Sequence, residues 1–393
     1  MRAAFLFVRR KHLTDNFGRF IEEDPGRQSI SGSFNPIDEG EWSENAYVQA
    51  TARFFGAISK NDVLAVKQMI EDGEDLNRRD HVGRTPLHVA VLSSSVEVGC
   101  VLIDAGSRMT ARLVGGRTSL HLAAQMGKVA LVTKMLERSA YNKEKVEEDR
   151  RKLEVAAATK ETEGVRMSSE DDWSSDGSDG EIPHRTPPAY TKMYELQNDS
   201  GALEDNDSEP DVLEISMHDW DFGFTALSYG ILSGSLEVVD ALLAAGADPN
   251  FVAHAKDVDP LHPLVLTIFT QDEERAAKIA ERLIAAQAIS SMADSNLFTI
   301  FHRIVAAGKT KIVASLFAHE PNAKRVINSP ASVGYGFGFG FVFPIVSTIN
   351  AGDYSTLSVL LAHGAKLRYS PEDIPREDDW YAEHPRLRKP ADS

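Results

Sequence analysis

Three histidines, His88, His121 and His302, each sit three residues after a threonine, at Thr85, Thr118 and Thr299. Three imidazoles are a ready set of metal ligands, but ligation requires them to converge on one point within a few ångströms. Here each histidine opens its own apolar segment, VAV after His88 and LAA after His121, so each belongs to a separate structural unit. Units of that size stack at about 10 Å spacing, which excludes a shared metal. A second stretch, VGYGFGFGFVF at 333–343, alternates glycine with aromatics. A phosphate-cradling loop needs glycines at set turn positions, a following helix and usually a lysine, and no lysine follows here. The alternation instead predicts an extended finger or hairpin with its aromatics on one side, and Tyr335, Phe337 and Phe339 are candidates for partner docking. No nucleophile elbow, H-E-x-x-H or Walker-type loop occurs. Cys100, the one cysteine, falls in a predicted outer helix as an inert, buried thiol. The reading is a non-enzymatic chain without metal or cofactor.

What positions these residues is a repeat. Gly83, Thr85, Leu87 and His88 return as Gly116, Thr118, Leu120 and His121, a period of 33 residues. Thr85 and Thr118 fit as helix N-caps, Pro86 fits the first helical position, and Gly106 fits a left-handed helix terminus. A second amphipathic helix follows each first one, Val96 to Ile103 and Val129 to Leu136. Such a unit cannot bury its apolar face alone, so neighbours must stack. This pattern, T-P-L-H opening a helix pair at that period, resembles the ankyrin repeat family. The resemblance implies an all-α solenoid of about seven helix-pair repeats, several degenerate, whose fingers and inner helices line a concave face that binds other proteins. It also implies a structural role for the repeat-motif residues Thr85, His88, Thr118, His121, Thr225, Thr299 and His302, the histidines bonding backbone between neighbouring repeats.

The frame divides the chain. Residues 1–44 read as an N-terminal extension, mostly disordered, and 45–142 as repeats 1–3. Residues 143–217 read as a charged and then acidic disordered insert, with KEKVEEDRRKLEVAAATKE as a possible solvated continuation of the preceding helix. Residues 218–370 carry repeats 4–7, with the threonine slot at 225, 262, 299 and 343, and 371–393 read as a cap or tail. The first repeat is degenerate, as expected of a terminal unit whose outer side meets water.

Charge sets the partner class. The formal net charge is -17, and 168–218 alone hold -12, fourteen acids against Arg185 and Lys192. So acidic a chain argues against nucleic acid, and no run reaches the roughly 20 apolar residues that span a bilayer. A single cysteine points to a reducing compartment, cytoplasmic or nuclear. A mitochondrial presequence is the alternative reading of the basic start MRAAFLFVRRKHLTDNFGRF. Exposed finger residues expected to meet a protein partner are Arg78, Arg79, His81, Arg108, Arg112 and Phe251. Ser168, Ser178 and Ser208, each with an acid three residues on, are phosphorylation candidates in the insert, as is Thr186-Pro187. The function expected is a monomeric scaffold or adaptor modulated by that insert. The alternative is an acidic segment that binds basic proteins such as histones, with the repeats as its scaffold. The basic fingers and acidic insert also predict that the insert folds back onto the fingers.

Overall fold

The computed structural model describes residues 46–80, 82–164, 210–253, 261–293, 298–335 and 338–369. Among the described residues seven helix pairs follow one another. They are α1 (Ala46–Ser59) with α2 (Val63–Glu71), α3 (Pro86–Leu92) with α4 (Val96–Ala105), and α5 (Ser119–Gln125) with α6 (Val129–Gly164). Next come α7 (Ala226–Ser233) with α8 (Leu236–Ala244), and α9 (Pro263–Leu266), extended by a 3-10 turn, with α10 (Glu273–Ala285). The sixth pair is α11 (Ile300–Ala306) with α12 (Thr310–His319), followed by the short α13 (Ala323–Val326). A hairpin of β1 (Ala331–Tyr335) and β2 (Gly338–Val342) precedes the seventh pair, α14 (Pro344–Ala351) with α15 (Tyr354–Ala362).

The inner helices start where the threonine pattern says they should. Thr85, Thr225 and Thr299 are extended and their hydroxyls accept the N–H of the residue three further on, relieving a helix-start donor. His262 and Phe343 hold the same slot without a side-chain cap, and there Pro263 and Pro344 supply the preset φ of a first helical residue. Gly106 ends α4 at φ +94, where an L side chain would be strained. Buried Leu87, Leu102, Leu120, Leu131, Leu227, Leu242, Ile279, Ile304 and Leu316 run as one apolar core from pair to pair.

Polar staples run along the same stack. Asn77 Oδ1 accepts from Arg108 N at 2.9 Å, Asn250 Oδ1 from Ile289 N at 3.0 Å and Asn328 Oδ1 from Lys366 N at 2.9 Å. Each asparagine thus binds the backbone of the following repeat.

The chain divides into a unit of residues 1–136 with 213–393 and a second of 137–212. The array is therefore one body on both sides of the insert. Where Ser139 replaces the terminating glycine, α6 runs on to Gly164, the continuation read for the charged stretch after Asn142, since no residue there takes up a left-handed turn. One feature differs from the sequence reading. Residues 210–217, assigned to the insert, include the buried Leu213 of the array's core. In the hairpin Tyr335 pairs with Gly338, and Gly334 with Phe339. The 1–44 extension, residues 165–209 of the insert and the 371–393 tail lie outside the described residues.

Gly106→Ala should lower stability by about 1–2 kcal/mol, the cost of an L residue in the left-handed region. Urea unfolding of the two proteins measures it as a shift in midpoint.

Candidate interaction surface

The threonine–histidine pairs are closed rings of hydrogen bonds. Thr85 Oγ1 lies 2.7 Å from His88 Nδ1, Thr118 Oγ1 2.9 Å from His121 Nδ1, and Thr299 Oγ1 2.7 Å from His302 Nδ1. The backbone N–H of each threonine also points at that Nδ1. Nδ1 is therefore the acceptor, the hydroxyl proton is donated to it, and the ring proton stays on Nε2. His121 Nε2 donates to the Met217 carbonyl and His302 Nε2 to the Ser329 carbonyl, each at 3.0 Å. A protonated ring would lose the Nδ1 acceptor. Burial, reinforced by the Arg79 charge, pushes His88 down to about 3. Burial does the same to His121, its bond to Met217 opposing, also to about 3.

The finger arginines are engaged in the same task. Arg79 Nη1 donates to the Gly83 carbonyl and, at 3.0 Å, to the Arg112 carbonyl one repeat on. Thirty-three residues later Arg112 Nη1 donates to the Gly116 carbonyl at 2.9 Å and to the His218 carbonyl at 3.2 Å. These two arginines, expected at the exposed finger tips, are half-buried backbone staples. Arg78 is half-buried and paired with Glu74, and Arg108 is half-buried beside Asn77. Phe251 is half-buried with its ring 5.9 Å from that of His218. Of the basic finger charge that would attract the acidic insert, Arg79 and Arg112 are committed to backbone carbonyls and Arg78 to Glu74. His81, Phe337, Ser168, Ser178 and Ser208 lie outside the described residues. Tyr335 and Phe339 sit in β1 and β2. Cys100 is half-buried and burial raises its thiol. Among the described residues no group of three or more His, Cys, Asp or Glu could hold a metal ion, and no helix is long and apolar enough to cross a membrane.

The junction of repeats 3 and 4 carries a group absent from the expected set. Trp220 N donates to the Gly115 carbonyl at 3.0 Å. Its indole lies flat against Gly116, where an added Cβ would come within 2.6 Å of the ring. Arg112 stands over the same indole at 5.3 Å. Yet Trp220 remains 51% exposed, beside Val114 at 56%. Beneath them Asp219 accepts from the Phe222 and Gly223 amides and, at 2.7 Å, from the Tyr229 hydroxyl. Burial raises both Asp219 and Tyr229 and lowers the neighbouring Arg117, which is fully buried. Trp220 falls in a finger one residue longer than that of Arg79–Thr85, so the 33-residue frame does not mark it.

A family model for ankyrin repeats in three copies matches residues 54–149, and a single ankyrin repeat matches 222–254. The chain is an ankyrin repeat protein. The matched ranges cover repeats 1–3 and 4; repeats 5–7 are the looser copies, with longer spacing between their slots. Serine/threonine-protein kinase VIK of Arabidopsis thaliana is 32% identical over 91 residues, 23% of this chain. The chain spans about a fifth, 21%, of that relative's length. Among solved structures, an ankyrin repeat domain from Acinetobacter baumannii AYE aligns at 16% identity and TM-score 0.46, covering 68% of this chain and 98% of that one. The ankyrin repeat domain of Bcl-3, described as a unique member of the IkappaB protein family, aligns at 16% identity and TM-score 0.44, covering 68% and 86%. Ankyrin repeats generally mediate protein–protein interaction, and their fold is typically a non-enzymatic module.

The neutral histidines give this ankyrin repeat protein a defined acid sensitivity. Their folded values lie below the ordinary 6.5, so the stability they confer is complete above pH 6.5 and is lost as pH falls from there toward 3. Each should cost about 1.4 kcal/mol per pH unit in that window. Urea midpoints should fall between pH 7.5 and pH 5, and His121→Gln should remove roughly half of the histidine contribution to that slope.

Proposed function

We propose that this ankyrin array is a non-catalytic protein-interaction module, a scaffold or adaptor, whose contact is centred on Trp220 at the finger edge of repeats 3–5. The observation that carries this reading is an indole left half-exposed although it is fixed by the Arg112 cation, the Gly116 backbone and its own N–H bond to Gly115. A tryptophan ordered before binding loses little entropy on contact, which is the property of interface anchors. Val114, two residues before Gly116, is also exposed, and the Phe251 ring lies 5.9 Å from that of His218, two residues before Trp220. A cytoplasmic or nuclear setting belongs to the same proposal and is supported by the single cysteine.

A second reading rests on the net -12 of residues 168–218: the acidic segment itself recognises basic proteins such as histones, the repeats acting as scaffold, with phosphorylation at Ser168, Ser178 or Ser208 deepening the charge.

Affinity capture with the full chain separates the two. Trp220→Ala should weaken the captured partner at least about 30-fold, the loss of a 2 kcal/mol anchor. Gly116→Ala, which displaces the indole, should act in the same direction. Deletion of 165–209 should leave binding within a few-fold. Loss on deletion with Trp220→Ala unaffected would instead assign recognition to the acidic segment.

A further inference from the structure

Two Ser/Thr-Pro dipeptides fall among the described residues, Thr85-Pro86 and Ser329-Pro330. They share a signature and differ in everything around it. Thr85 is fully buried, and its hydroxyl is taken up by His88 at the start of α3. Ser329 is half-buried in the finger between α13 and β1, outside any helix or strand. Its hydroxyl, bonded to no described residue, is open to water. The backbone around that hydroxyl is nevertheless fixed. Ser329 N donates to the Val326 carbonyl at 3.1 Å, and the Ser329 carbonyl accepts from His302 Nε2. Asn328, just before it, donates to the Gly364 carbonyl at 3.1 Å and accepts from Lys366 N. Pro330, just after it, disfavours helical backbone at Ser329.

Charge singles out the same finger. Arg325 stands four residues before Ser329 and Lys324 five, both on α13. Both are exposed, and neither forms an ion pair among the described residues. The nearest acid in sequence, Glu320, is buried, with Oε1 accepting from Ser290 N of the preceding repeat at 2.7 Å. From Pro321 to Gly352 the sequence holds no acidic residue at all. In a chain of net charge -17, that leaves exposed cations within about one helical turn of an unused hydroxyl.

We propose that Ser329 is a phosphorylation site for a proline-directed protein kinase, and that Lys324 and Arg325 hold the phosphate. Ser329 Oγ attacks the γ-phosphorus of ATP, the bond to the β-phosphate oxygen breaks and ADP leaves. The hydroxyl proton passes to the general base of the kinase. The product carries about -1.5 to -2 charge and three acceptor oxygens, which a guanidinium and an ammonium can meet with charge-assisted hydrogen bonds. The fixed carbonyl of Ser329 and the Asn328 staple hold this charge at the junction of repeats 6 and 7. The site is distinct from the Trp220 edge and from the acidic insert, and depends on neither.

The test treats the folded full chain with ATP and a mitogen-activated protein kinase, beside a capped peptide of residues 322–335, and maps phosphate by mass spectrometry. Ser329 of the folded chain should be phosphorylated and Thr85 should not. Ser329→Ala should remove that phosphate and keep the urea midpoint of the parent. In phosphorus NMR the Ser329 signal, identified by its loss in Ser329→Ala, should titrate below the ordinary value of about 6. Lys324→Met/Arg325→Met should return it to that value. Phosphate on the peptide but not on the folded chain overturns the inference, because the hydroxyl is then closed to a kinase. Phosphate on neither overturns it too, the dipeptide being no substrate. A titration that the double variant leaves unchanged removes Lys324 and Arg325 from the site.

Discussion

Everything in this molecule rests on backbone carbonyls of one repeat being claimed by side chains of the repeat before it. Arg79 reaches the carbonyl of Arg112, Arg112 that of His218, His121 that of Met217 and His302 that of Ser329. Finger loops lack regular ladders, so these carbonyls would otherwise be buried without partners, which costs more than the bond itself contributes. The same bonds fix register: a repeat shifted by one residue would miss every donor. Apolar stacking makes adhesion between repeats favourable, and the polar staples decide how they sit.

The consequence is clearest across the insert. Between the slots at 118 and 225 the chain leaves the array and returns, yet repeat 3 meets repeat 4 as any neighbours meet. His121 bonds Met217, Arg112 bonds His218, and Gly115 bonds Trp220. Residues 213–217 lead the chain back into this junction. The extra residue in its finger lifts Trp220 over Gly116, and Asp219 with Tyr229 fills the space beneath. A long loop between such units adds little closure entropy once they dock, so the insertion is tolerated where the staples persist.

Much of this could be read beforehand, for physical reasons that also explain what could not. The threonine, proline, glycine and histidine positions do local work, capping and turning the chain within a few residues, so their pattern survives in the linear sequence. The direction of a guanidinium does not. Arg79 and Arg112 look like solvent-facing charges in a loop, and only the proximity of the next repeat's carbonyls makes them inward staples. Trp220 is not marked by the repeat frame because its finger departs from the common spacing, and that departure is what leaves it exposed.

The central claim is that repeats 1–3 and 4–7 form one continuous array, joined through the Arg112, His121 and Trp220 contacts. Native-state hydrogen exchange tests it most directly by comparing amides of Leu120–Ala124 with those of Leu227–Ile231 under rising denaturant. A joined array predicts that both sets merge into one opening event of equal free energy, and that Arg112→Met separates them. Two independent openings in the unaltered protein, one for each side of the insert, would contradict the account.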